Sequence, residues 1–183
     1  MKLVFLDIDG VLNNDYTVGI RRGFVFLDRR NTEVFAKMMQ AFWEKYGRDN
    51  VKIVLSSSWR AGVDKNGNVL DNGFRIDLDN WLEDYGLEID DETPMIRGSE
   101  RAFEILSYIC NCKDKIDGYV VIDDWYYCDF KRRGITKRWL QTSWKSGLKA
   151  GQIHEAMRLI EKPVTRKEMA AYHDIVRADK EIY

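Results

Sequence analysis

A chain of 183 residues is long enough for one substantial core and short for two, so a single domain over 1–183 is expected. Lys and Arg total 29 against 30 Asp and Glu, a formal net charge of -1, which excludes a globally basic nucleic-acid binder and leaves only local patches for that role. With 45% hydrophobic and 13% aromatic residues and few prolines, the composition also excludes a disordered chain.

The first apolar run, KLVFLDID near residue 5, reads as a buried strand, although acids are normally kept out of one because an unpaired carboxylate costs several kcal/mol to bury. It ends in Asp7 and Asp9, two positions apart and followed at once by Gly10, which frees the turn. The stretch NDYTVGIRRGFVFLD, about residues 14 to 28, is long enough only for a small flap. NTEVFAKMMQAFWEKYG then spaces Val34, Phe35, Met38, Met39 and Phe42 for one face of a helix, with Gly47 as its stop. A second apolar run, VKIVLSSSW near residue 54, again ends in small polar residues. RIDLDNWLEDYG predicts a helix through Ile76, Leu78, Trp81 and Leu82, stopped by Gly86.

The next helix is expected to start at Ser99, whose hydroxyl can cap it, and to run through Phe103, Ile105, Leu106 and Ile109. DGYVVIDDW near residue 121 is the third apolar run, and KRWLQTS is a fourth candidate strand. GLKAGQIHEAMRLIEKP carries a helix that ends before Pro163, closing a core of about 1–162. Thr165-Arg166-Lys167-Glu168 is a capping box that opens a last helix to about Lys180.

Strands alternating with helices predict an α/β fold with a parallel sheet, whose ligands bind at the carboxyl ends of the strands. DID, SSSWR and IDD all fall at such exits. With Asp123 and Asp124 on the same rim as Asp7 and Asp9, like charges crowd one volume and cannot all stay ionised without a cation. A hard divalent ion with oxygen ligands answers that, and Mg2+ is the usual one where a phosphate completes the shell. Ser56 and Ser57 can donate to phosphate oxygens, and nearby arginines can add charge-assisted bonds. An Asp can itself attack phosphorus, while a second Asp exchanges protons with the leaving alcohol and with water.

FLDIDGVLNN, VLSSSWR and VVIDDW, in that order, resemble motifs I, II and IV of the haloacid dehalogenase (HAD) superfamily of Mg2+-dependent phosphohydrolases. The resemblance implies a Rossmann-like HAD fold with a minimal cap, a phosphorylated substrate and an aspartyl-phosphate intermediate. It assigns Asp7 as nucleophile, Asp9 as general acid/base, Ser56 (with Ser57) as phosphoryl contacts, and Asp7, Asp9, Asp123 and Asp124 as metal-site residues, Asp9 through its carbonyl. The motif III cation is expected at Arg97 in TPMIRGSERAFEIL, with Arg101 and Lys113 as alternatives. SSSWR, RGSE before a helix, and IDD are most similar to the HAD domains associated with Swiss Army Knife RNA repair proteins, which would make Arg60 a substrate-side residue. The similarity spans roughly residues 3 to 160.

Nucleic-acid ends or nucleotides are one substrate class this suggests; a small phosphorylated metabolite, or a non-catalytic phosphate-binding module, are the alternatives. Trp59 and Trp125 are placed either to stack on a ring or to pack at the sheet edge. Arg21-Arg22 and Lys131-Arg132-Arg133 are candidate phosphate-backbone patches, more often solvated loops. His154 and His173 read as packing or surface residues. Cys110, Cys112 and Cys128 are too few for a disulfide scaffold, lack the second pair a zinc site needs, and suit a reducing compartment. Asp7 interrupts the apolar start, so no signal peptide or membrane span is expected, and a cytoplasmic location is.

Overall fold

A computed structural model describes residues 1–19, 27–60, 73–96, 100–125 and 128–180. Along the chain it contains β1 (Lys2–Leu6), α1 (Asp15–Gly19), α2 (Arg29–Tyr46), β2 (Val51–Leu55), α3 (Gly73–Glu83), β3 (Asp91–Glu92), α4 (Arg101–Asn111), β4 (Gly118–Asp123), α5 (Cys128–Arg132), β5 (Trp139–Gln141), α6 (Ile153–Glu161) and α7 (Arg166–Lys180). The strands form one five-stranded sheet in the order β3-β2-β1-β4-β5, and every pairing is parallel. This is the α/β architecture with a parallel sheet expected from the alternation of apolar runs and helical patterns.

The central strand shows why its run is continuous rather than alternating. Leu3, Val4, Phe5 and Leu6 are all fully buried, because both faces of the sheet are covered. Val4 and Leu6 face a cluster that includes Phe35, Met38, Met39 and Phe42 of α2 and Ile160 of α6. Leu3 and Phe5 face the other way, toward Phe103, Leu106 and Ile109 of α4 and Tyr172 and Val176 of α7. Phe5 there meets Tyr108 and Tyr119 edge-on, with ring centroids 5.7 and 5.8 Å apart.

Several boundaries differ from the sequence expectation for local reasons. The Asp28 carboxylate accepts from the Arg30 and Asn31 amides, so α2 starts two residues before Asn31. α4 starts at Arg101, and Ser99 lies outside the described residues. The first turn of α4 is instead served from a distance: the Ala102 amide donates to Asp129 Oδ2 at 2.8 Å. β3 has only two residues, both acidic, which pair with Val54 and Leu55. Nothing in its composition marks it as a strand. Of the flap stretch at 14–28, α1 occupies Asp15–Gly19, and residues 20–26 lie outside the described residues.

The final helix packs on its own chain. Arg138, just before β5, is buried, and its guanidinium donates to the Lys162 carbonyl at 2.7 Å, the Pro163 carbonyl at 2.9 Å and Glu168 Oε1 at 3.3 Å. It also lies 4.6 Å from the centroid of the Tyr119 ring, and the Tyr119 hydroxyl is 2.9 Å from that of Tyr172 on α7. Glu168 closes the expected capping box, accepting from the Thr165 amide at 2.9 Å while its own amide donates to Thr165 Oγ1 at 3.1 Å. Among the described residues no helix is long and apolar enough to cross a membrane, and Cys110 and Cys112 are free thiols.

Burial pushes the Glu168 carboxyl up, but the bond from Lys137, the Thr165 amide and the charge of Arg138 outweigh it and hold the group at about 2. A carboxyl held below its unfolded value adds stability that is complete above about pH 4.5 and lost as pH falls toward 2. Glu168→Gln should therefore cost about 1 kcal/mol at pH 7, after allowing for partial solvent contact. The cost should shrink toward zero at pH 2.5. Chemical denaturation at both pH values measures it, and a pH-independent difference would refute the ion-pair account.

Candidate active site

Main-chain pairing continues past the strand ends and lines up the functional residues. The Asp7 amide donates to the Ile122 carbonyl at 3.0 Å, and the Ser56 amide to the Leu6 carbonyl at 2.8 Å. On the far side the Thr142 amide donates to the Asp123 carbonyl at 3.1 Å, and the Trp139 indole donates to the same oxygen at 2.9 Å. Asp7, Ser56, Asp123 and Thr142 thus sit in one row at the carboxyl edge of the sheet.

Three of the four acids singled out in the sequence meet there. Asp7, Asp123 and Asp124 each offer an oxygen, and those oxygens lie within 4.8 Å of one another. Asp7 is 6% exposed and Asp123 1%. Burial, with the neighbouring Asp7 charge, pushes the Asp123 carboxyl up to about 8 and that of Asp124 up to about 6. Burial raises Asp7 as well, against the opposing charge of Arg101 and hydrogen bonds from Ser57 and the Ile8 amide. An all-oxygen donor set this crowded fits a hard divalent cation such as Mg2+, which would restore the ionised state of all three.

The Asp9 carboxylate stands apart from that group. Its Oδ1 accepts from Asn13 Nδ2 at 2.8 Å and its Oδ2 from the Trp59 indole at 3.2 Å, so both oxygens are held by neutral donors. The turn that separates the two acids is built by Asn13 and Gly10. Fully buried Asn13 also accepts the Gly10 amide at 2.8 Å, and the Gly10 carbonyl accepts from Thr142 Oγ1 at 2.8 Å. Gly10 has φ 69°, and a Cβ on it would stand 2.2 Å from Asp124 Oδ2. Only glycine lets Asp124 approach so closely.

Among the described residues Arg101, the first residue of α4, brings a cation to this site. Its guanidinium lies 3.7 Å from Asp7 Oδ1, 4.0 Å from Asp123 Oδ2 and 3.5 Å from the Ser56 hydroxyl. Arg97, the favoured position from the sequence, lies outside the described residues. Lys113 is exposed beyond the other end of α4, near Lys52, and does not reach the rim.

Arg60 corrects a sequence expectation. It is buried, pairs with Glu104 of α4 and donates to the Ser57 carbonyl at 2.7 Å, so its fork braces the serine loop rather than reaching outward. Glu104 also accepts the Ile96 amide at 3.1 Å, tying a second loop to the same helix. The basic run at 131–133 is likewise turned inward in part: Arg132 and Arg133 pair with Glu100, and Arg133 faces Asp129 at 3.7 Å. Arg21 and Arg22 lie outside the described residues. Trp59 is buried in the core, whereas Trp125 is 64% exposed. His154 and His173 are exposed on α6 and α7, remote in sequence from the rim residues.

Sequence reasoning assigned no role to Asn13, Glu104, Thr142 or Trp144. Asn13 was visible four residues after Asp9, but the other three carry no local signal because their partners are distant in the chain. Asp9, Asp124, Trp125, Gln141, Thr142, Ser143 and Trp144 line an open cleft of about 620 Å³.

A parallel sheet with an acid pair after its first strand, serines after the second and another acid pair at the end of β4 defines a HAD-type domain, a class that points to a phosphohydrolase. The family model for the HAD domain in Swiss Army Knife RNA repair proteins matches residues 3–153, and the chain belongs to that family. No curated protein and no solved structure matches it.

Asp123→Asn imitates the protonated acid that burial favours. It should shift the metal-free melting temperature by less than about 3 °C while removing the stabilisation that Mg2+ gives the native chain. An undiminished Mg2+ response would dissolve the three-carboxylate site. Gly10→Ala, forced to a positive φ against Asp124, should lose about 1–2 kcal/mol or more in the same melts.

Proposed function

We propose that the protein is a Mg2+-dependent phosphomonoester hydrolase that works through an aspartyl-phosphate on Asp7. The observation that carries this is the approach of Arg101 to both the buried Asp7 carboxylate and the Ser56 hydroxyl, at the edge of the Asp7, Asp123 and Asp124 group, with Ser57 hydrogen-bonded to Asp7. A nucleophile, a cation and a hydroxyl donor around one small space match what a tetrahedral dianion needs.

In the first step an Asp7 oxygen attacks phosphorus and the bond to the ester oxygen breaks. Asp9 delivers a proton to the departing alkoxide. Its position suits the task, because Asn13 and Trp59 fix the carboxylate and it borders the cleft through which an alcohol can leave. In the second step Asp9 takes a proton from water, whose oxygen attacks phosphorus and breaks the bond to Asp7, releasing inorganic phosphate. Arg101, Ser56 and Ser57 hold the phosphoryl oxygens and the Asp7 carboxylate in line. Bound Mg2+ would supply positive charge to the three carboxylates and the phosphoryl group.

Nucleic-acid ends are the proposed substrates, on the strength of the RNA repair proteins that give the family its description and of the open rim at the described part of the site. Asp7→Asn should lower kcat on p-nitrophenyl phosphate by at least about 10³-fold and leave Mg2+-dependent phosphate binding in place. Near-native turnover by that variant, or turnover undiminished by chelator, would overturn the assignment.

A further inference from the structure

We propose that Trp125 and Trp144 form an aromatic clamp that stacks the unpaired base next to the scissile phosphate, making them specificity residues for the leaving group. The inference rests on the phosphohydrolase reading, and concerns which alcohol the site releases.

Large aromatic side chains of a folded chain are ordinarily covered. Trp125 is 64% and Trp144 40% exposed, and both border the one cleft that also contains Asp9 and Asp124. They reach it from different elements, Trp125 from the end of β4 and Trp144 from the segment after β5. Both are held from the main chain, so their exposure is not that of a loose tail. The Trp125 amide donates to Asp123 Oδ1 at 2.9 Å, and the Trp144 carbonyl accepts from the Asp15 amide at 2.8 Å.

The character of the cleft selects the occupant. Asp9, the proposed proton donor to the leaving group, is in its wall, so whatever lies there is attached to the ester oxygen. Among the described residues the wall contains two carboxylates and no Lys or Arg, which disfavours a second phosphate such as a sugar bisphosphate would bring. Two indoles instead suit a flat, neutral ring, and every nucleobase has such a face. The exposed Gln141 carboxamide makes no hydrogen bond among the described residues and can meet a ring edge. Stacking on both faces requires a base free of its duplex neighbour, so a single-stranded end is favoured over a blunt one.

The test uses the full chain with Mg2+ and short single-stranded oligonucleotides phosphorylated at the 3' or the 5' end, each made with a terminal base and with an abasic terminal nucleotide. For the native chain kcat/KM should favour the base-bearing form of the cleaved end about 5- to 150-fold. Trp144→Ala, remote in sequence from the acids, should erase most of that preference through KM, and Trp125→Phe should keep most of it. Equal kcat/KM on base-bearing and abasic ends, or losses in Trp144→Ala that are the same on both, would overturn the clamp. Equilibrium binding of the same oligonucleotides to the Asp7→Asn variant separates the two ideas. If the phosphatase reading alone is wrong, no ester is hydrolysed yet base-dependent binding persists and still depends on Trp144. If the clamp is wrong, abasic and base-bearing ends bind alike.

Discussion

Parallel pairing does not stop where the strands do: the Asp7 amide reaches the Ile122 carbonyl, and the Ser56 amide reaches the Leu6 carbonyl. These two bonds fix the register of β1 against both neighbours at the level where the side chains change from apolar to reactive. A slip of one residue would turn Asp7 to the opposite face and set Val4 and Leu6 against the wrong helices. The fully buried Leu3 to Leu6 run forbids that slip, since each residue already has a packed face. Core packing and site geometry are therefore one constraint, and the acids inherit their precision from the hydrophobic strand beneath them.

That precision creates an electrostatic problem which the surrounding residues divide between them. Asp7, Asp123 and Asp124 are pushed upward mainly by burial, with Asp7 repelling the other two, and Arg101 opposes the rise at both buried acids. The Asp9 carboxylate lies outside that group and is held instead by two neutral donors, Asn13 and Trp59. The two aspartates of the first motif thus differ in environment before any ligand arrives. One is a buried carboxyl facing a cation and the other a half-buried carboxyl open to a cleft, the difference the proposed nucleophile and proton carrier require.

The amino-acid sequence made the strand exits legible because a buried run ending in acid or hydroxyl is self-contradictory without a ligand, and all three exits converge as that contradiction demands. The longer helices were equally plain from spacing and stops such as Gly47. β3 escaped notice because two acidic residues at a sheet edge have no periodicity to show. Arg60 misled for a related reason. An arginine after a serine motif looks like a phosphate ligand, and only the three-dimensional arrival of Glu104 from α4 reveals its buried pairing. Trp144 is likewise unremarkable as a string, and becomes notable only because the segment after β5 brings it to the cleft that Trp125 borders.

The position of Arg101 finally depends on how α4 is seated. At its amino end Asp129 accepts the Ala102 amide, and Glu100, the residue before the helix, is paired with Arg132 and Arg133. Along its length α4 packs against α7, where Tyr172 and Val176 are buried in the same cluster as Phe103, Leu106 and Ile109. α7 lies beyond residues 3–153, the span of the family match, and is itself pinned through Glu168 to the buried Arg138. A helix outside the shared domain thus covers the helix that carries the site's cation. Loosening α7 at the Arg138–Glu168 pair would reach the proposed phosphate site through α4, without touching a residue at the rim of the sheet.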